Sequence, residues 1–459
     1  MERMSYETFL KTKSKSFTPV GFDPPDISDA LFPFQRDIVR WALRRGRACI
    51  WADCGMGKTA MQLEWSRRVH EKTGGKILIL APLAVASQTV AEGAKFGITV
   101  TLCRDASDVR DGVNIANYDR LHLFDATEFI GVVLDESSII KSCDGKTKTM
   151  ILDSFRATPY RLACTATPAP NDHIELGNHA EFVGAMSTNE MLATYFCHDG
   201  GETQKWRLKG HARRDFWKWV CSWACMIQKP SNLGYDDGDF QLPPLNIIPI
   251  VVKSKPIDGH LFAVQAESLS ERLQARRESI DERVAECARI VNESTESFVV
   301  WCKLNAESEA ATAAIPGAVE VTGSDAPDKK EKNLLAFANG DIRVMVSKCS
   351  IAGFGLNLQV CHNAAFLGLS DSWEEYYQAV RRNWRFGQRF PVNIYIITAE
   401  TEGNVVDNIK RKEADAKLMT ESMVAEMASI IRDEIRGTSR SFVEYNPQVK
   451  MEIPQWLKS

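Results

Sequence analysis

The 459-residue sequence has no surplus of charge of one sign: Lys+Arg 56 stand against Asp+Glu 60, a formal net charge of -4. That excludes a globally basic coat for nucleic acid and leaves any contact with a polyanion to local patches. No apolar run is long enough to span a bilayer, so no membrane partner is expected. The first residues, Met1-Glu2-Arg3-Met4-Ser5-Tyr6, lack the apolar core of a secretory signal. Paired cysteine patterns are missing as well. Twelve cysteines are scattered singly, several of them (Cys49, Cys164, Cys302, Cys349) inside apolar runs. This reads as reduced core cysteine in a cytoplasmic protein, not a disulfide framework. No C-x-x-C knuckle accompanies His198, His211, Cys221 and Cys225, which argues against zinc there. Short-period repeats and low-complexity tracts are also missing. The length leads us to expect two or three domains.

What is there is concentrated in Asp53-Cys54-Gly55-Met56-Gly57-Lys58-Thr59. An apolar run, Ala48 to Ala52, precedes it and reads as a buried strand. Ala60 to Trp65 follows and reads as the start of a helix. Strand, glycine turn, Gly-Lys-Thr and helix are the context of a phosphate-binding loop, here a G-x-G-K-T variant with Ala52 at the usual first glycine. Gly55 and Gly57 let successive N–H groups of the loop, Cys54 to Gly57, turn toward an anion at a helix N-terminus. Lys58 can reach the β- and γ-phosphates, and the Thr59 hydroxyl can ligate Mg²⁺. Upstream, Phe34-Gln35 opens a helix expected over Arg36 to Leu43, and the Gln35 amide can bond a donor and an acceptor on a purine.

Downstream, apolar runs alternate with helical stretches: Lys76–Pro82, Ile98–Leu102, Val113–Tyr118, Phe129–Leu134 and Tyr160–Cys164. Such a pattern predicts a parallel sheet covered on both faces. Its fourth run ends in Asp135-Glu136-Ser137-Ser138, where ligands of such sheets gather. Asp135 is expected to hold Mg²⁺ and Glu136 to position the attacking water of a nucleotide hydrolysis. The fifth ends in Thr165-Ala166-Thr167-Pro168, a plain turn or a relay of the γ-phosphate state.

Between about 190 and 235 the pattern changes to aromatic and basic residues. Phe216, Val220 and Trp223 fall at helical spacing and are expected to pack on the first lobe. Lys205-Trp206-Arg207-Leu208-Lys209-Gly210-His211 reads as an exposed loop. Lys205, Trp206, Arg207 and Lys209 there combine backbone attraction with base stacking, as DNA contact requires; a structural loop is the alternative. After Gln241-Leu242-Pro243-Pro244, read as a linker, a long charged helix near 258–292 is expected. Strands at Ser297–Cys302, Arg343–Ser347, Asn363–Leu367 and Pro391–Ile397 then make a second parallel α/β unit with no phosphate loop of its own. Gly353 to Leu358 is a glycine-rich turn. Arg382 and Arg385 stand three apart, on one face of an expected helix, and can neutralise a transferring phosphoryl group.

In their order these motifs resemble those of the superfamily 2 helicases, and within them the SWI/SNF-type DNA translocases, from about Phe32 to about Lys417. Phe34-Gln35 resembles the Q-type motif, Asp53–Thr59 motif I, and Asp135–Ser138 with Lys141 motif II. Thr165–Pro168, Asn171 and Glu175-Leu176 resemble motif III, and Gly353–Leu358 motif V. Gln378–Gln388 resembles motif VI, with the Q-A-x-x-R-x-x-R-x-G-Q spacing of SWI/SNF-like proteins. The size resembles the compact versions of phages. The resemblance implies tandem RecA-like parallel-sheet lobes with ATP and Mg²⁺ between them and DNA, duplex or forked, across both. It adds Gly355 and Gln378 to the residues expected to face the nucleotide. The expected organisation is an arm over 1–27, lobe 1 over 28–240 with an aromatic and basic helical insertion near 185–235, lobe 2 over 241–417, and a C-terminal helix and tail over 418–459. The expected activity is an ATP-dependent DNA translocase or helicase, monomeric, with replication or recombination proteins as further partners. The alternatives are an RNA-directed helicase and a nucleotide-gated DNA clamp that recruits partners.

Overall fold

The structure, a computed structural model, describes residues 18–435 apart from 25, 142–144, 170–171, 200–201, 254–268, 353–356, 370–371 and 403–404. Nine strands fall in the first part of the chain: β1 Arg47–Ala52, β2 Lys76–Ala81, β3 Val100–Leu102, β4 Val113–Asn117, β5 Phe129–Asp135, β6 Tyr160–Thr165, β7 Phe196–Asp199, β8 Glu202–Leu208 and β9 Ala224–Ile227. Six follow: β10 Leu245–Val252, β11 Phe298–Cys302, β12 Ala318–Val321, β13 Val344–Lys348, β14 Asn363–Phe366 and β15 Val392–Ala399. The first sheet runs β3-β4-β2-β5-β6-β1-β9 and the second β10-β15-β14-β11-β13-β12. Every pairing within these two sheets is parallel. β7 and β8 form a separate antiparallel hairpin.

The sequence dictates this directly. β1 and β2 are buried from their second residue to their last, which a strand tolerates only when helices cover both faces of its sheet. Along β11 the alternate residues Val299 and Trp301 enter one core, and Phe298, Val300 and Cys302 enter another on the opposite face. Helix Lys58–Thr73 starts on Gly57, at φ 79°, and stops at Gly74, at φ 69°, whose N–H donates to the His70 carbonyl. Its residues Ala60 to Ser66 are all buried. The two predicted α/β units are therefore present, and each apolar run read as a strand is one.

Several elements differ from the sequence reading. β9, β10 and β12 were not anticipated. β10 lies directly after the Pro243-Pro244 stretch read as a linker, and Pro249 within it is tolerated because β10 is an edge strand. The helix expected near 258–292 is two, Leu269–Glu278 and Ile280–Asn292, with 258–268 outside the described residues. They part at Ser279, whose hydroxyl donates back to the Ala275 carbonyl at 2.8 Å. The stretch expected to be helical near 185–235 holds helices Thr188–Tyr195 and Arg213–Cys221, but also the β7–β8 hairpin and β9. The loop expected over Lys205–His211 is strand as far as Leu208. Phe216, Val220 and Trp223 are buried in the first core, as their spacing predicts.

The last described helix, Val405–Ile435, follows β15 of the second sheet. Its Met423, Val424, Met427, Ile431 and Ile435 nevertheless belong to the core of the first. In the second unit a buried ionic cluster fixes the approach to the site. Arg283 pairs with Glu307 at 2.7 Å and Glu402 at 3.3 Å, Arg276 pairs with Glu402 at 3.1 Å, and Arg276 Nη2 holds the Leu369 carbonyl at 2.6 Å. These buried charges are matched in sign and join helices Leu269–Glu278 and Ile280–Asn292 to the segments that carry Glu307, Leu369 and Glu402.

Candidate active site

β1 delivers Asp53–Thr59 at its C-terminal end. Gly55, at φ 88°, and Gly57, at φ 79°, occupy left-handed backbone that a side chain would strain. The space is also taken. A Cβ on Gly57 would lie 2.3 Å from Gln35 Nε2, and one on Gly55 would lie 2.7 Å from the backbone nitrogen of Phe386 in the second lobe. Gln35 Nε2 donates to the Met56 carbonyl at 2.9 Å, and its Oε1 accepts the Phe32 N–H at 3.0 Å. The amide assigned to a purine on sequence grounds thus braces the loop, because helix Pro33–Arg45 starts early enough to place Gln35 in its first turn. Lys58 Nζ donates to the Ala52 carbonyl at 2.9 Å. The Thr59 hydroxyl lies beside the half-buried carboxyl of Glu92, from helix Leu83–Lys95.

Asp135 and Glu136 stand at the end of β5, two strands from β1 in the sheet. Asp135 Oδ1 accepts Gln62 Nε2 at 2.7 Å and its carbonyl accepts the Tyr118 hydroxyl at 2.7 Å. Burial, and then the neighbouring Glu136 charge, push the Asp135 carboxyl up to about 6, against the pull of the Gln62 bond and Lys58. Glu136 has φ 52°, which makes it the sole non-glycine residue in left-handed backbone among those described. Strain of this kind at a strand end marks a residue whose aim matters. Its Oε1 lies 3.5 Å from Arg382 Nη2, while its Oε2 is buried with no hydrogen-bond partner among the described residues. Next to it, the Ser137 hydroxyl pairs with His179 Nε2 at 3.0 Å.

The second lobe closes the site with helix Trp373–Asn383. Gln378 is buried and its Oε1 accepts Arg382 Nη2 at 3.1 Å. Arg385 does not share this helix, contrary to the reading of both arginines on one helical face. The helix ends at Asn383, since Trp384 turns to φ -95°, ψ 82°, and its indole donates to the Pro243 carbonyl at 2.7 Å. Arg385 reaches the loop anyway, its Cβ within 3.5 Å of a Cβ built on Gly55. Glu374 ties the lobes a second time: Lys141 Nζ pairs with its Oε2, and the Thr167 hydroxyl donates to its Oε1 at 3.2 Å. Sequence reasoning missed Glu374, Gln62, Tyr377 and Arg381. The last two bond Asp53.

Lys58, Thr59, Asp135, Glu136, Gln378, Arg382 and Arg385 therefore converge on one cleft, and Gly355 lies outside the described residues. The donor set fits a magnesium nucleotide: a glycine cradle no Cβ could enter, a lysine, a hydroxyl, and an orphaned buried carboxylate oxygen. Trp206, Arg207 and Lys209 sit on or beside the separate hairpin, where the side chain of Lys205 is outside the described set. Trp206 packs against His198 across the strand pair, ring centroids 3.9 Å apart and tilted by 36°. Lys209 Nζ is spent on the Ala193 and Thr194 carbonyls, each at 3.0 Å, at the end of helix Thr188–Tyr195.

Residues 282–387 match the helicase conserved C-terminal domain. Protein p41 of Acyrthosiphon pisum secondary endosymbiont phage 1 is 24% identical over 464 residues, covering 85% of this chain and 98% of the phage protein. The DNA annealing helicase and endonuclease ZRANB3 of Mus musculus is 25% identical over 221 residues, covering 43% of this chain and 20% of the mouse protein. Among solved structures, a fragment described as the HsdR subunit of a type I restriction enzyme from Vibrio vulnificus YJ016 superposes with a TM-score of 0.52 at 16% identity, over 84% of this chain and 66% of that one. This likeness concerns the fold, two tandem RecA-like lobes.

Proposed function

We propose that the chain is a superfamily 2 helicase core of the SWI/SNF-like kind, and on that premise a DNA-dependent ATPase that couples ATP hydrolysis to movement along DNA. The observation that carries this reading is the 3.5 Å approach of Arg382, from the second lobe, to Glu136, from the first, above the phosphate loop. An arginine that meets the catalytic carboxylate across a lobe boundary makes hydrolysis depend on lobe closure, which is what a motor requires. Mg·ATP, when bound, would supply the scissile phosphoanhydride and the positive charge of its metal. Lys58 would neutralise the β- and γ-phosphates, and Thr59 and Asp135 would hold the metal. Glu136 Oε2 orients the attacking water and draws its proton. Arg382 and Arg385 stabilise charge on the transferring group once the lobes meet.

A cleft of about 810 Å³ opens between the lobes beside Glu136, and its lining mixes Arg104, Arg120, Lys141 and Lys330 with Asp328, Glu331 and Glu374. Lys141 pairs with Glu374 and Arg104 lies 3.9 Å from Asp328, so this cleft is balanced in charge and does not by itself mark a nucleic-acid track. DNA is favoured by the similarity to the mouse DNA annealing helicase and by the Gly387-Gln388 ending of motif VI. Phosphate release measured with duplex, single-stranded and forked DNA and with RNA tests the proposal. DNA should stimulate it strongly. Lys58→Ala should lose nucleotide binding and turnover, whereas Glu136→Gln should bind ATP and not turn it over. Stronger stimulation by RNA would favour the RNA-directed alternative. Tight DNA binding without turnover would favour a clamp.

A further inference from the structure

Asp53 is the first residue of the phosphate loop, and its carboxylate is gripped from the other lobe. Arg381 Nη2 donates to Asp53 Oδ2 at 2.7 Å and to the Cys54 carbonyl at 2.8 Å, while the Tyr377 hydroxyl donates to Asp53 Oδ1 at 2.5 Å. Both partners are secured behind. Trp384 packs on the Arg381 guanidinium at 4.9 Å and is itself bonded to Pro243, and Trp373 stacks on Tyr377 at 4.8 Å. The motif VI spacing leaves position 381 open, so nothing in that pattern asks for an arginine there.

The consequence follows from peptide geometry. In a trans peptide the carbonyl of one residue and the N–H of the next point in opposite directions. The structure holds two loop carbonyls away from the anion side: Gln35 takes that of Met56, and Arg381 takes that of Cys54. The N–H groups of Gly57 and Gly55 are thereby turned the other way, toward the phosphates. Gln35 belongs to the same lobe as the loop, so its hold is permanent. Arg381 comes from the second lobe, so its hold exists only while the lobes are together. Arg381 and Tyr377 also offset the charge of Asp53, which otherwise stands beside a polyanion site and repels its occupant.

We propose that Arg381 is a positioning residue that shapes the phosphate loop from the opposite lobe, acting through Asp53 and the Cys54 carbonyl, so that lobe closure raises affinity for the nucleotide's phosphates. This rests on the reading of Asp53–Thr59 as an ATP site. It assigns Arg381 a task different from that of Arg382, its chain neighbour, which faces Glu136.

The experiment is equilibrium binding of a fluorescent ATP analogue to the full chain, with and without saturating duplex DNA, alongside steady-state ATPase. Arg381→Gln should weaken binding in the presence of DNA by about tenfold, the scale of one charged hydrogen bond. It should raise KM with a much smaller fall in kcat, because the loop grips ground and transition states alike. Arg382→Ala should do the reverse. Asp53→Asn in the Arg381→Gln background should change affinity far less than it does in the wild type, since each acts through the other. Should Arg381→Gln fail to fold, Tyr377→Phe removes one donor to Asp53 and should raise KM by a few fold. DNA-bound affinity left at the wild-type value in these variants, or independent multiplying effects of Asp53→Asn and Arg381→Gln, would overturn the inference. A wild-type chain that binds no ATP analogue would instead overturn the functional reading beneath it.

Discussion

At the scale of single residues, His179 links the strand that ends in Asp135 to pH. Its ring is wholly buried, 5.7 Å from the Trp51 ring and bonded to Ser137 beside Glu136. Burial lowers its pKa from 6.5 to about 4. The native state therefore keeps His179 neutral where the unfolded chain already binds a proton. This contribution to stability is complete above pH 6.5 and is lost as the pH falls toward 4, at roughly 3 kcal/mol over the window. Urea unfolding at stepped pH should show that loss in the wild type, and His179→Gln should flatten it while costing some stability at neutral pH. An unchanged slope would mean that carboxylates alone set the acid limit. The neighbouring candidate residues stand out in the sequence for a simple reason. Asp53–Thr59 and Asp135-Glu136 are contiguous, and their chemistry depends on spacing along a few residues. Arg381 and Asp53 are 328 positions apart, and no local pattern links an arginine to a partner that the fold alone supplies.

At the scale of elements, the alternation of apolar runs found the two sheets but stumbled where composition misleads. β9 lay hidden among tryptophans read as helix, β12 is only four residues long, and β10 carries a proline. Lys205–His211 reads as a loop because its residues are polar on both sides of one tryptophan, whereas as far as Leu208 it is a strand paired with Phe196–Asp199. That difference redistributes the basic residues. Lys209 caps a helix and should act on stability: Lys209→Ala should lower Tm, with DNA affinity kept. Lys205 and Arg207 remain candidates for DNA contact. Changing both to Ala should weaken binding and reduce the slope of log affinity against log salt, since each phosphate contact contributes about one counterion to that slope. Binding titrations at several salt concentrations check this. An unaltered slope would withdraw the hairpin from the DNA surface.

At the scale of the whole molecule, the two lobes are joined more than once. The chain passes from the first sheet to the second through Gln241–Pro244, and helix Val405–Ile435 returns it from the second sheet to the first core. With 31 residues this helix is about 46 Å long, enough to leave one lobe and reach the heart of the other. Met427 and Ile431 are 0% exposed and Met423 is 1% exposed. Arg213 Nε reaches Glu426 at 2.9 Å, and Arg432 Nη2 reaches the Asn232 carbonyl at 3.3 Å. The C-terminal helix expected beyond 417 is thus part of the first core, because a peripheral helix would not lose its apolar stripe so completely to it. Truncation to Ala should cost roughly 2–5 kcal/mol at each of Met427 and Ile431, and the loss should fall on the first lobe although the helix follows the second in sequence. Limited proteolysis of the Met427→Ala/Ile431→Ala variant should therefore open cuts between residues 47 and 227 before any between 245 and 399, and nucleotide binding should fail together with them. A chain ending at 404 should behave as a stronger form of the same defect. If either variant kept wild-type melting and nucleotide binding, the helix would be a covering and not a part of the core. With the helix built into the core, the second lobe is tied to the first by this helix as well as by Gln241–Pro244, and it is from a lobe so tethered that Arg381 reaches the loop and Arg382 reaches Glu136.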